Sequence, residues 1–183
     1  MTPPFLPRLR ELFQDAGGRP LAQAASVSPA GRPEVRTVVL RGLGAEGDAW
    51  FASDARSGKV VALAATPYLE LCLWWPARGV QWRLSGRTST HLDDDLAEAT
   101  WLALPADTRE LFASPAPGPP RPGPLAAATS GPPTDAAGDR PPTTFMTIRL
   151  VPDRCERLTL GSPLKRVLWT LADERWRETE LVP

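Results

Sequence analysis

The chain has 183 residues, enough for one domain with a full core. Its 21 basic residues are matched by 21 acidic ones, which argues against a global field drawing it to nucleic acid or an anionic membrane. A single histidine, two cysteines and no Cys-x-x-Cys pair argue against a metal centre. Cys72 and Cys155 both lie in apolar, strand-like runs and read as buried thiols of a reduced compartment rather than a disulfide. No apolar run approaches the ~20 residues of a membrane span and the first residues show no signal-peptide pattern, so a cytoplasmic protein is expected.

In chain order, Leu6, Leu9, Leu12, Phe13 and Ala16 recur at helical spacing, and Gly17-Gly18 ends that segment. Residues 21–28, 34–41 and 49–53 read as strands, separated by Pro29-Ala30-Gly31-Arg32-Pro33 and by Gly44-Ala45-Glu46-Gly47-Asp48. The period then changes: Val60, Leu63 and Ala64 share one helical face within 57–66, and Pro67 stops the helix. Two strands follow, 69–75 and 80–88. In the second, Val80, Trp82 and Leu84 alternate with Gln81, Arg83 and Ser85, giving one apolar and one polar face. Of the pair Trp74-Trp75, one ring is expected in the core and the other at the surface.

Residues 92–104 read as a helix with Asp93, Asp94 and Asp95 in its first turn, and a short second helix runs to Phe112. Residues 114–143 hold ten prolines among Gly, Ala and Ser and read as a mobile surface insert unable to bury enough apolar area to order itself. The chain ends in strands at 144–151, 154–160, 165–171 and 175–181. Seven or eight strands in meander order with a few helices predict a mainly β, antiparallel barrel, a closure that removes exposed edges.

Two segments carry ligand chemistry. Ser57-Gly58-Lys59 opens a helix, where unpaired N–H groups, the helix dipole and one mobile cation attract phosphate. A capped helix with a solvated lysine would show the same residues. The strand Arg36-Thr37-Val38-Val39-Leu40-Arg41 places its two arginines on opposite faces, about 16 Å apart at the usual rise per residue, so a shared ligand requires a bulge or twist. Two solvent arginines flanking a buried Val-Val-Leu run would also satisfy this pattern. With His91 alone and far from any nucleophile elbow, no Ser-His-Asp set is expected.

Taken in order, Arg36-Thr37-Val38-Val39-Leu40-Arg41, Phe51-Ala52-Ser53, Ser57-Gly58-Lys59 and Gln81-Trp82-Arg83-Leu84-Ser85-Gly86 resemble the FMN-binding split barrel of the pyridoxamine 5′-phosphate oxidase family. The closing Trp176-Arg177-Glu178-Thr179-Glu180-Leu181-Val182-Pro183 is similar to the family's last strand, and the segment from Trp101 through Arg109 to Gly118 resembles a shorter branch of it. The resemblance implies non-covalent FMN at a homodimer interface, with Arg36 and Lys59 on the phosphate and Ser53 and Ser57 assisting. It further implies Thr37 and Arg41 along the cofactor strand, Val38 and Val39 offering backbone groups to the flavin edge, and Gln81 facing the ring with Arg83 beside it. Arg166 would approach the pyrimidine, and the loop at Pro117-Gly118 would come from the second chain.

The departures concern the substrate. Gly58 stands where the oxidases carry a second phosphate-binding arginine, and Arg41 replaces a lysine beside the substrate. The Arg-x-His element expected between Leu160 and Lys165 is missing, and the tyrosine, arginine and serine that hold substrate phosphate are not found from Trp101 to Arg109. The expectation is therefore a flavin-dependent oxidoreductase acting on an unidentified small molecule. The alternatives are an authentic pyridoxamine 5′-phosphate oxidase, a non-catalytic flavin-binding protein and a cofactor-free module using the Pro-rich insert.

Overall fold

A computed structural model describes residues 2–118 and 138–183. The greater part of the expected insert, 119–137, lies outside the described residues. Eight antiparallel strands are present: β1 (Leu21–Val27), β2 (Pro33–Leu43), β3 (Ala49–Asp54), β4 (Tyr68–Trp75), β5 (Val80–His91), β6 (Phe145–Thr159), β7 (Lys165–Ala172) and β8 (Arg175–Leu181). Their order is β3-β2-β1-β4-β5-β6-β7-β8, and a further β3–β6 pairing closes the first six into a barrel. The β7–β8 hairpin extends from the second half of β6.

The segments 144–151 and 154–160, expected as two strands, are one strand. Proline interrupts a ladder because it has no N–H to donate, which is why the sequence reads as broken at Pro152. Here the register shifts: Ser85 opposes Arg154 and Gly86 opposes Pro152, leaving Asp153 as the extra residue of a bulge. Gly86 is required there, since a Cβ on it would lie 2.0 Å from the Val151 carbonyl oxygen. By continuing through the bulge, β6 can close the barrel with its first half and carry the hairpin with its second.

The helices are α1 (Leu6–Asp15), α2 (Gly58–Ala65), α3 (Asp95–Leu102) and α4 (Ala106–Glu110). In α1, Leu6, Leu9, Leu12 and Phe13 are buried as the spacing predicts, whereas Ala16 lies past the helix and is exposed. The inward residues of α2 are Ala62 and Leu63, with Val60 packed against the core; Ala64 is exposed. The main core fills the barrel and reaches the hairpin, where Phe5 meets Trp169 and Trp176 at centroid distances of 5.8 and 5.0 Å. Trp75 belongs to this core while Trp74 is 46% exposed, the expected division of that pair. A second cluster beneath α3 joins Trp101, Leu104, Phe112 and Phe145 through edge-on ring contacts. Trp101 Nε1 donates to the Gly138 carbonyl at 3.0 Å, tying the returning chain to this cluster. Both cysteines are free, as expected, but only Cys155 is buried; Cys72, expected inside, lies half-buried on the outward side of β4.

Candidate anion and cofactor site

The residues of β3 alternate inward and outward, so Ser53 faces inward and is buried. The chain then turns through Asp54-Ala55-Arg56 into α2. Ser57 occupies the N-cap with extended backbone, yet its hydroxyl makes no capping bond. It accepts instead from Lys59 Nζ at 3.0 Å, as does Ser53 Oγ at 3.0 Å, and the two hydroxyls lie 3.3 Å apart. The first turn of α2 is thus left without a side-chain cap.

Arg36 approaches from β2. Its guanidinium donates to Ser26 Oγ at 2.6 Å and to Glu34 at 2.8 Å. Burial and then the Arg36 charge lower the pKa of Lys59, and Asp54 opposes this. The Lys59 ammonium is therefore partly desolvated and faces a like charge, with only hydroxyls as its hydrogen-bond partners among the described residues. A bound oxyanion would relieve each of these penalties. Asp54 is engaged by Arg56 through Nε at 3.0 Å and Nη2 at 2.7 Å, and Arg56 Nη2 also reaches the Ser114 carbonyl at 2.9 Å.

A second charged group lies on the other face of the sheet. The inner row Arg36, Ala24, Leu71, Leu84, Cys155 and Trp169 carries core side chains, apart from Arg36 at its end. The adjacent row Thr37, Gln23, Cys72, Arg83, Glu156 and Leu168 points outward, because successive residues of a strand alternate faces. Gln81 and Arg166 share this outer face, both in register with Leu158. Glu156 is 2% exposed and accepts from Arg166 at 3.0 Å and Arg154 at 2.6 Å, with Arg83 at 3.8 Å. Glu70 accepts from Arg83 and Ser85, both at 2.7 Å. Burial pushes the Glu70 carboxyl up, but those bonds and the arginine charges bring it below its usual value.

The structure thus brings together Arg36, Ser53, Ser57 and Lys59, and separately Gln81, Arg83 and Arg166. It does not join the two groups within one chain, since three strand spacings, about 14 Å, separate Thr37 from Arg83. Val38 packs in the core, and Val39 and Thr37 lie on the outer face. The bulge that a shared ligand required is present between Leu40 and Gly42, yet Arg41 has Arg19, not Lys59, as its charged neighbour. Its Nε is buried without a hydrogen-bond partner among the described residues. Sequence reasoning missed Asp54, Arg56, Glu70, Arg154 and Glu156. Asp54 and Arg56 were visible beside Ser57, whereas nothing in Cys155-Glu156-Arg157 signals a buried carboxylate.

The expectation of no Ser-His-Asp arrangement needs correction. His91 Nε2 pairs with Ser89 Oγ at 2.8 Å and its Nδ1 with Asp94 Oδ2 at 2.5 Å, because the end of β5 places Ser89 and His91 on one face, just before α3. Asp94 also caps α3 through the Ala97 N–H at 3.0 Å, so these bonds fix the strand-to-helix corner. An open cleft of about 730 Å³ beside it is lined by Glu46, Asp48, Asp94 and Asp95, with Arg149 already paired to Asp48. That charge pattern repels phosphate. A cleft of about 580 Å³ lies nearer Arg36 and is lined by Ser26, Pro33, Tyr68, Glu70 and Ser85. Tyr68 there hydrogen-bonds Asp153, and burial together with that carboxylate pushes its phenol up to about 12.

Comparison with known proteins agrees with this fold. Residues 3–91 match the family profile described as pyridoxamine 5′-phosphate oxidase, FMN-binding domain. The pyridoxine/pyridoxamine 5′-phosphate oxidase of Anaeromyxobacter dehalogenans is 36% identical over 110 residues, covering 53% of this chain and 52% of that protein. The enzyme of the same name from Acinetobacter baylyi is 37% identical over 95 residues, covering 50% and 43%. The chain therefore spans about half the length of the curated relatives it matches. A crystal structure of a pyridoxamine 5′-phosphate oxidase-related, FMN-binding protein from Nostoc punctiforme superposes with a TM-score of 0.87 at 28% identity, over 100% of both chains. PhzG from Burkholderia lata shares the fold, with a TM-score of 0.76 at 20% identity over 98% and 91%. The barrel, the profile match over residues 3–91 and the full-length superposition agree: the chain carries an FMN-binding split barrel similar to those of the pyridoxamine 5′-phosphate oxidase family.

Proposed function

We propose that this protein holds FMN non-covalently with its phosphate at the start of α2, and serves as a flavin-dependent oxidoreductase for a small molecule. The observation that carries this reading is the Lys59 ammonium held on the Ser53–Ser57 hydroxyl pair beside the charge of Arg36, with that ammonium disfavoured until an anion arrives. Arg36 and Lys59 supply charge, the two hydroxyls orient the phosphate, and the first turn of α2 offers backbone donors. FMN, when bound, supplies the hydride acceptance and donation. The chain's own residues bind and orient it.

Gln81, Arg83 and Arg166 lie on the outer face and would address the ring. Because they sit across the sheet from Arg36, one chain does not enclose a cofactor between the two groups. Closing a site around both the phosphate and the ring therefore calls for a second copy to supply the other group. The outer face exposes Leu21, Val27, Val35, Tyr68 and Trp74, an apolar surface suited to packing against that copy. A homodimer follows as part of the proposal, and the two free thiols suit a reducing cytoplasm. The buried Arg41 Nε is a donor with no acceptor among the described residues, which suits contact with substrate or cofactor. Without the Arg-x-His element, pyridoxamine phosphate is not the substrate of choice.

The test is direct. Purified protein should carry flavin absorption through gel filtration at the mass of a dimer and release FMN on heat denaturation. Colourless protein that also fails to take up added FMN would overturn the reading.

A further inference from the structure

We propose that Arg56 is the third cation of the phosphate site, standing in for the side chain absent at Gly58. The inference rests on the FMN reading above. Gly58, the first residue of α2, has nothing within 4 Å of the position a Cβ would take, so the space above the helix start is open. Arg56 stands two residues earlier. Its pairing to Asp54 brings it to the same site, because Asp54 is also a charge neighbour of Lys59. The guanidinium and the ammonium thus flank one carboxylate.

The bonds of Arg56 to Asp54 and Ser114 use Nε and Nη2. Nη1 takes part in none of them among the described residues, and its two N–H donors remain available to a phosphate oxygen. Arg56 can therefore keep its Asp54 pair, which fixes its fork, while donating from the remaining nitrogen. Asp54 is held in its charged form chiefly by the Arg56 hydrogen bond, so it orients this arginine across the working pH range. The Ser114 contact, also made by Nη2, anchors the same guanidinium further. Arg56 is a phosphate-positioning cation that α2 itself does not supply.

The experiment compares FMN with riboflavin, which lacks the phosphate, by titrating apoprotein and following flavin fluorescence. The ratio of the two dissociation constants isolates the phosphate contribution. Arg56→Ala should lower the preference for FMN by roughly five- to tenfold while leaving riboflavin binding unchanged, as one partly exposed charge-assisted hydrogen bond requires. Gly58→Arg added to Arg56→Ala should restore the preference, because the open space at position 58 admits that side chain. Inorganic phosphate should raise the apoprotein melting temperature more in the wild type than in Arg56→Ala, a readout that needs no flavin. Equal weakening of FMN and riboflavin, or no change in either, would overturn the proposal and leave Arg56 as a strut between Asp54 and Ser114. Wild-type protein that binds both flavins equally would instead overturn the phosphate site itself, and Arg56 with it.

Discussion

The two charged groups of this barrel use the same residue types to opposite ends. At the start of α2, the Lys59 ammonium has two serine hydroxyls as hydrogen-bond partners, and burial and Arg36 disfavour its charge. On the outer face, Arg83, Arg154 and Arg166 each meet a carboxylate of Glu70 or Glu156, and the pairing favours the charged forms of Arg83 and Glu70. The first group is incomplete and the second largely completes itself. A binding site is marked less by the presence of charge than by charge the protein leaves unpaired.

Removing the keystone of the satisfied group should have the largest effect on folding. Glu156→Ala leaves Arg154 and Arg166 without their carboxylate and Arg83 with Glu70 alone, and should cost about 2–3 kcal/mol in urea denaturation, less than for fully buried partners because each arginine is about a third exposed. The FMN-to-riboflavin preference should not fall in this variant. A fall would mean that the two groups act as one site within the chain.

The incomplete group should respond in the converse way. Arg36→Ala and Lys59→Ala should each weaken FMN binding roughly tenfold or more, as loss of a charge-assisted bond to phosphate implies. Arg87→Ala, an exposed side chain in the middle of β5, should leave it unchanged. Equal losses from all three would place the phosphate elsewhere.

Lys59→Met should stabilise the apoprotein by about 0.5–1 kcal/mol while lowering the phosphate preference roughly tenfold, since it removes a charge the fold disfavours. The same physics sets a pH dependence. The folded pKa of Lys59 is below its unfolded value of 10.5, so the unfolded chain binds more protons between the two. Lys59 should therefore make apoprotein stability rise with pH as the value of 10.5 is approached from below, a component absent in Lys59→Met. Thermal melts of the two proteins across that range would show it. The smallest effect is expected from Glu70, whose folded pKa is depressed below 4.5. Its contribution is present above that value and lost as pH falls through the folded value, and Glu70→Gln should flatten that acid limb.

Much of this arrangement was legible in the sequence because local rules govern it. Alternation along β5 separated Trp82 from Gln81, and a helix start after Ser57 placed Ser57 and Lys59 together without tertiary knowledge. The resemblance supplied the pairing of Arg36 with Lys59, which lie on a strand and a helix 23 positions apart in the numbering. What escaped were features made by register. The bulge at Asp153 hid the continuity of β6, and Glu156 became a buried carboxylate only because β5 and β7 bring Arg83 and Arg166 to it. The Ser89–His91–Asp94 corner likewise depends on how β5 enters α3, which the single histidine did not foretell.

The central claim is that the Arg36–Ser53–Ser57–Lys59 group is the phosphate site for FMN. Titration of the wild-type apoprotein with FMN and with riboflavin tests it most directly. FMN should bind at least about a hundredfold more tightly, the combined weight of two such cation contacts, and Lys59→Ala should remove most of that difference. Equal affinity for the two flavins, or a preference that stays undiminished after loss of both Arg36 and Lys59, would contradict it.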